Sequence, residues 1–349
     1  MKLRMWRRRE MAAGGSALLV LLALAVVPAA GGQGGVIFWQ GQTPPDYAGF
    51  AVTVGQTLEI PLDAVGPSGS NVTIDVTPRP RGAVLDQTST APARAVLRWT
   101  PTVAQAGDYI LYVSAYAGRA SAPELTVYVH VSREPGGPRF GLSSLTGRSR
   151  NATLVRSVAA YASPRPSARV VARLRAVTPE QVPHVVYLVE GRIDPESKRY
   201  WIRIRLPTLP NGSTGWIPRE AVEEFRSVDT HVVINRARFR ISLLKRGRPI
   251  FSSIVGVGMS RWPTPAGIFY IRERLTGFTD PIYGRLAFGT NGRSPVLTDW
   301  PGGGFIGIHG TNQPQILPGR VSHGCVRMRN ADIRRLDRLM PIGTPVTIR

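Results

Sequence analysis

The sequence is short of sulfur, of lysine and of acid. Cysteine occurs once, at Cys325, so no disulfide within the chain can staple the fold. Histidine occurs five times, and no Cys/His cluster has the spacing of a metal centre, so neither a metal nor another cofactor is expected. His130, His184 and His231 stand alone and read as structural. Lysine is confined to Lys2, Lys198 and Lys245, so the 44 basic residues are nearly all arginine. Set against 22 acidic residues they leave a net charge of +22. A charge of that size raises the question of nucleic acid. The arginines, however, are spread along the whole chain with no nucleic-acid motif among them, so no nucleic-acid partner is expected. Compositional bias accounts for most of the excess, and attraction to an anionic surface adds a little.

What is present begins with a basic patch, Met1 to Arg9, followed by an uncharged stretch rich in Leu, Val and Ala from Met11 to Ala30. A basic flank before an apolar run is the pattern of a signal sequence or single membrane anchor, and residues 1–35 are assigned to it. Val27-Pro28-Ala29 offers small residues for cleavage. The remainder is then expected to work outside the cytoplasm, in the cell envelope.

With 349 residues, 43% of them apolar, the chain has room for several domains, each with a core. Alternation such as Leu125-Thr126-Val127-Tyr128-Val129, with turn signals at Pro67-Ser68-Gly69 and Ala106-Gly107-Asp108, predicts a β-sandwich over 36–132. Leu97-Arg98-Trp99-Thr100-Pro101 followed by Gly107-Asp108-Tyr109 resembles immunoglobulin-like or cadherin-like repeats. Residues 133–149 are rich in Gly, Pro and Ser and read as a linker. Over 150–226, Pro166-Ser167-Ala168-Arg169-Val170, Trp201-Ile202-Arg203-Ile204 and Gly215-Trp216-Ile217 resemble a bacterial SH3-like barrel. From 227 to 349, His231 to Asn235, Arg240 to Leu244, Ile250 to Val257, Gly267 to Ile271 and Val346 to Ile348 predict strands, the early ones antiparallel across short turns. One late helix is expected over 331–340, capped by Asn330, carrying Ile333, Leu336, Leu339 and Met340 on one face and ended by Pro341. The fold class is thus mostly β and multidomain.

Chemistry concentrates between Ile308 and Asn330. His309-Gly310 ends an apolar strand-like run, a loop with Pro314, Pro318 and Gly319 follows, and the chain returns through Ser322-His323-Gly324-Cys325-Val326-Arg327. A thiol is a strong nucleophile once ionised, and a nearby imidazole can take its proton and hold the resulting ion pair. Sixteen positions separate His309 from Cys325 (325 − 309), too many for one helix face and suited to a loop that brings two segments together. Gly324 permits a tight turn and is expected to leave amides near Cys325 free for a substrate oxygen.

These residues, with Pro263-Thr264-Pro265-Ala266-Gly267-Ile268-Phe269 upstream, resemble the L,D-transpeptidase (YkuD-type) catalytic domain over the last third of the chain. The resemblance implies that Cys325 is the nucleophile, His309 the proton acceptor and donor, and His323 a third member of the site. It implies that Ser322 and Gly324 shape the oxyanion pocket, and that Arg327, with Gly310, Thr311 and Asn330, meets the substrate. Its partners would be peptidoglycan stem peptides and the cell wall, with the N-terminal segment meeting the membrane. The activity would be cross-linking of stem third residues through a thioester with release of D-alanine. Hydrolysis or exchange at the same thiol, and non-catalytic wall binding by three β modules, remain as alternatives.

Overall fold

A computed structural model describes residues 36–134, 139–297 and 304–349. The expected export segment and residues 135–138 of the expected linker lie outside this range. Among the described residues the fold is mostly β, with one α-helix, and no helix is long and apolar enough to cross a membrane.

Two sheets enclose a core drawn from residues 37–131. One orders its strands Phe38–Gln40, Leu58–Val65, Ala93–Trp99 and Val84–Thr90. The other runs Ala48–Thr53, Leu125–Ser132, Gly107–Ala117 and Thr73–Thr77. The period-2 pattern is plain in Leu58–Val65, where Leu58, Ile60, Leu62 and Ala64 are buried and Glu59 is exposed. Trp99 closes the core edge-on against Tyr109, with ring centroids 4.8 Å apart.

The middle region forms one sheet ordered Val170–Leu174, Val158–Tyr161, Thr214–Pro218, Tyr200–Arg205, Val185–Ile193, Ser149–Thr153, Arg226–Val228. Residues expected to be linker contribute to it: Arg139–Gly141 pairs with Val185–Ile193. The physical reason is Phe140. Its ring crosses Gly191, where a Cβ would collide with it, and stacks on His130 at 3.5 Å. A single aromatic anchor therefore orders a segment whose Pro and Gly content suggested none.

The last region is a ten-stranded sheet. Its strands lie in the order Arg248–Ile254, Arg240–Lys245, Thr230–Asn235, Pro345–Ile348, Gly267–Thr276, Leu286–Arg293, Phe305–His309, Val326–Arg327, Gly256–Gly258, Gly319–Ser322. The first three form an antiparallel meander, and Arg246 (φ 50°) with Gly247 (φ 79°) makes the tight hairpin turn between two of them. Elsewhere parallel pairs appear. Pro345–Ile348 runs parallel to Thr230–Asn235, Val326–Arg327 to Phe305–His309, and Gly319–Ser322 to Gly256–Gly258. Such pairs need long connections, which the intervening residues supply.

The helix spans Asn330–Asp337, shorter than the expected 331–340. Its N-cap position is Arg329, with no side-chain cap, because the Asn330 side chain is engaged elsewhere. Ile333 and Leu336 are buried in the core with Phe269, Phe288 and Met328, each contributing roughly 1.5–3 kcal/mol. Leu339 is 37% exposed and leaves the expected apolar face.

Candidate active site

The parallel pairing of Phe305–His309 with Val326–Arg327 builds the site. Ile308 lies opposite Val326 and His309 opposite Arg327. Cys325, one residue before this pairing, therefore falls beside Gly307. The Gly307 amide donates to Cys325 Sγ at 3.3 Å, and Phe305 O lies 4.0 Å from the sulfur.

The turn that carries the cysteine is held by hydroxyls. Ser322 Oγ donates to Cys325 O at 2.5 Å and accepts from the Gly324 amide at 3.1 Å. Thr264 Oγ1 donates to Gly324 O at 2.7 Å while accepting from the Gly258 amide at 2.8 Å. Gly324 has φ 118°, a conformation that disfavours any side chain. Its amide, expected to face a substrate, is bonded to Ser322 instead.

The loop after His309 is held by Asn330, whose Oδ1 accepts from the Thr311 amide at 3.1 Å. A Cβ at Gly310 would collide with that same oxygen. Gly310, Thr311 and Asn330 thus lock one another in place.

Burial governs the electrostatics. It pushes the Cys325 thiol up, against smaller opposing effects of the Gly307 amide and the Arg327 charge. It pushes His309, which is 3% exposed, down to about 4. Both groups therefore rest neutral, rather than as the ion pair the sequence suggests. Gly310 O lies 2.6 Å from His309 Nδ1 and can only accept, so Nδ1 carries the proton and Nε2 keeps a lone pair. Arg327 is 6% exposed, pairs with no carboxylate among the described residues, and leaves its buried Nε without a partner.

Two cavities meet at the sulfur. One, of about 160 Å³, is lined by Arg327, His323, Ser322 and Asp280; the other, of about 260 Å³, by Glu180, Glu273 and Phe278. Cys325, His309, Tyr283, Phe305 and Ile306 line both. Of the residues singled out in the sequence, Cys325, His309, His323, Ser322 and Arg327 come together here. Gly310, Thr311, Gly324 and Asn330 line neither cavity. His323 lies against Trp262, with centroids 4.0 Å apart. Tyr283, 5.1 Å from His309 between ring centroids, and Gly307, the donor to sulfur, were not singled out. Only the sheet order brings them in.

Residues 229–348 match the YkuD family model, described as the L,D-transpeptidase catalytic domain. The Bacillus subtilis protein named L,D-transpeptidase YkuD is 31% identical over 122 residues, covering 35% of this chain and 67% of that protein. The Escherichia coli K12 protein named L,D-transpeptidase YbiS is 52% identical over 44 residues, 13% of this chain and 14% of that protein. A solved L,D-transpeptidase from Enterococcus faecium is 21% identical with a TM-score of 0.27, a slight likeness covering 35% of this chain. The chain spans 50% of that structure. This chain belongs to the L,D-transpeptidase family, through a YkuD catalytic domain at residues 229–348.

Proposed function

We propose that the chain cross-links peptidoglycan stem peptides in the cell envelope through a thioester on Cys325. The observation that carries this reading is the meeting of Cys325, His309 and Arg327 around one cavity. A neutral thiol beside a neutral imidazole is a stored nucleophile: the proton moves as the sulfur attacks.

His309 Nε2 takes the thiol proton while sulfur bonds to the carbonyl carbon of the third stem residue. The tetrahedral oxyanion is held by amides around Cys325. Arg327 takes the donor's carboxylate through charge-assisted hydrogen bonds. The C–N bond to the terminal D-alanine breaks, and its nitrogen leaves with the His309 proton. An amine from a neighbouring stem then attacks the thioester, the new C–N bond forms, and sulfur departs and regains a proton through His309. His323 borders the donor cavity, and Ser322 and Gly324 hold the turn that presents the sulfur.

Intact-mass measurement after incubation with a tetrapeptide stem tests this. The expected result is an adduct of stem minus D-alanine on the wild-type chain and none on Cys325→Ala. Cross-links formed by Cys325→Ala would overturn the reading.

A further inference from the structure

The strand Phe305–His309 brings Phe305 O and the Gly307 amide to the sulfur, and sets His309 on the wall of both cavities. How its first residue is held therefore bears on the chemistry. Phe305 is half-buried, and two guanidiniums lie over its ring. The guanidinium carbon of Arg272 is 4.0 Å from the ring centroid, and that of Arg293 is 4.9 Å away. Arg293 is also the residue that pairs with Phe305 in the sheet. The ring quadrupole attracts both cations and so resists a shift of the ring in its plane.

Both arginines are held by the middle region. Arg272 is 1% exposed; its Nη2 is 3.1 Å from Glu180 Oε2 and its Nε donates to Glu273 Oε1 at 3.1 Å. Glu273 is its neighbour on strand Gly267–Thr276, whereas Glu180 comes from the turn between Val170–Leu174 and Val185–Ile193 of the middle sheet. The Thr178 hydroxyl of the same turn bonds the Glu273 carboxylate. Arg293 is gripped through its backbone by a second turn, between Tyr200–Arg205 and Thr214–Pro218. There Asn211 Oδ1 accepts from the Arg293 amide at 2.9 Å, and Asn211 Nδ2 donates to Arg293 O at 2.7 Å. One side-chain amide thus answers both backbone groups of Arg293, as a neighbouring strand would. Two separate turns of the middle region converge on the two cations over one ring.

We propose that Glu180 and Asn211 are positioning residues: through Arg272 and Arg293 they fix the Phe305 ring, and with it the strand that presents Gly307 and His309 to Cys325. The middle region is then part of the acyl-transfer machinery rather than a spacer before it. The proposal rests on the acyl-transfer reading above and extends it to residues outside 229–348. Neither side chain touches the reacting atoms. Each acts by keeping the first residue of the strand in place, so that the sulfur, the Gly307 amide and the His309 ring hold their mutual distances while the stem binds.

The test uses the full chain with saturating tetrapeptide stem, well below the melting temperature of each variant. Circular dichroism gives the folded fraction, and intact mass gives the rate of adduct formation per folded molecule. Glu180→Gln and Asn211→Ala should each slow that rate by about tenfold, because small misplacements of reacting groups are costly. Both residues lie on turns at partly exposed positions, so neither change empties a core. In a Phe305→Leu background, itself slowed, the same two substitutions should change the rate by less than about twofold, because the ring they act through is gone. A purely structural contact between regions would lower the melting temperature and leave the rate per folded molecule unchanged. A rate within about twofold of wild type for either variant overturns the proposal, and so does a loss that persists in full in the Phe305→Leu background. A wild-type chain that never acquires the adduct overturns the acyl-transfer reading, and this proposal with it.

Discussion

Two histidines in this chain are buried to similar depth, in different regions and to different ends. His130 is 7% exposed and His309 is 3% exposed, and burial pushes both down to about 4. His130 joins the sandwich to the middle sheet. Its Nδ1 bonds Asp108 Oδ1 at 2.8 Å, its ring lies flat on Phe140, and Asp108 is itself paired with Arg150. Because Arg150 answers the carboxylate, the ring has no need of a proton. The His309 ring bonds Gly310 O and borders open volume on the sulfur side. Depth and proton affinity do not separate the two. What separates them is the neighbourhood: one ring is closed between Asp108 and Phe140, and the other borders the two cavities at the sulfur.

The sharpest way to break this contrast is to remove each ring. His309→Gln should slow adduct formation on Cys325 by on the order of a thousandfold, in the range for a lost general acid–base. His130→Gln should lower the melting temperature and leave adduct formation within twofold. Equal losses of rate from both would erase the distinction. A smaller effect is expected at the donor cavity. Arg327→Met should raise KM for a stem with a free terminal carboxylate by about 10- to 100-fold, and should matter far less for an amidated stem. Similar KM changes for both stems would remove Arg327 from carboxylate recognition.

Acid should strike both regions together. His130, His184 and His309 all have folded values lowered to about 4, from an ordinary value of 6.5, chiefly by burial. Between those values the unfolded chain binds protons that the folded chain refuses. Their contribution to stability is therefore complete above about pH 6.5 and is lost as pH falls through about 4. Melting temperature should decline across that window, and His130→Gln should make the decline shallower. A flat profile would mean these rings are not held neutral. The smallest effect concerns the loop behind His309. Asn330→Ala removes the bond to the Thr311 amide and should cost about 1 kcal/mol, read as a melting point a few degrees lower.

The residues legible in the sequence were those adjacent in it. Ser322 to Arg327 and His309-Gly310 carry their meaning locally, because the turn at Cys325 is held by the Ser322 hydroxyl and a glycine at positive φ. The strands of the meander were legible too, since alternation writes burial directly. What lay hidden depends on pairing across long separations. Gly307 became a donor to sulfur only through the strand pairing. Glu180 reached Arg272 across 92 positions (272 − 180), through a turn of another sheet. Asn330 looked like a helix cap because its type and position fit that role; the Thr311 amide offered its side chain a partner that sequence does not display. Burial bears on the ion pair at Cys325 in a related way: withdrawing water disfavours the charged form of both the thiol and the imidazole.

The strand Pro345–Ile348 sits between Thr230–Asn235 and Gly267–Thr276, so the two halves of the sheet are joined by residues that follow Cys325 in the chain. Until those residues emerge, Val232 and Ile234 on one side and Phe269 on the other face an empty slot. During synthesis Cys325 is therefore made before the strand that joins the two halves of this sheet.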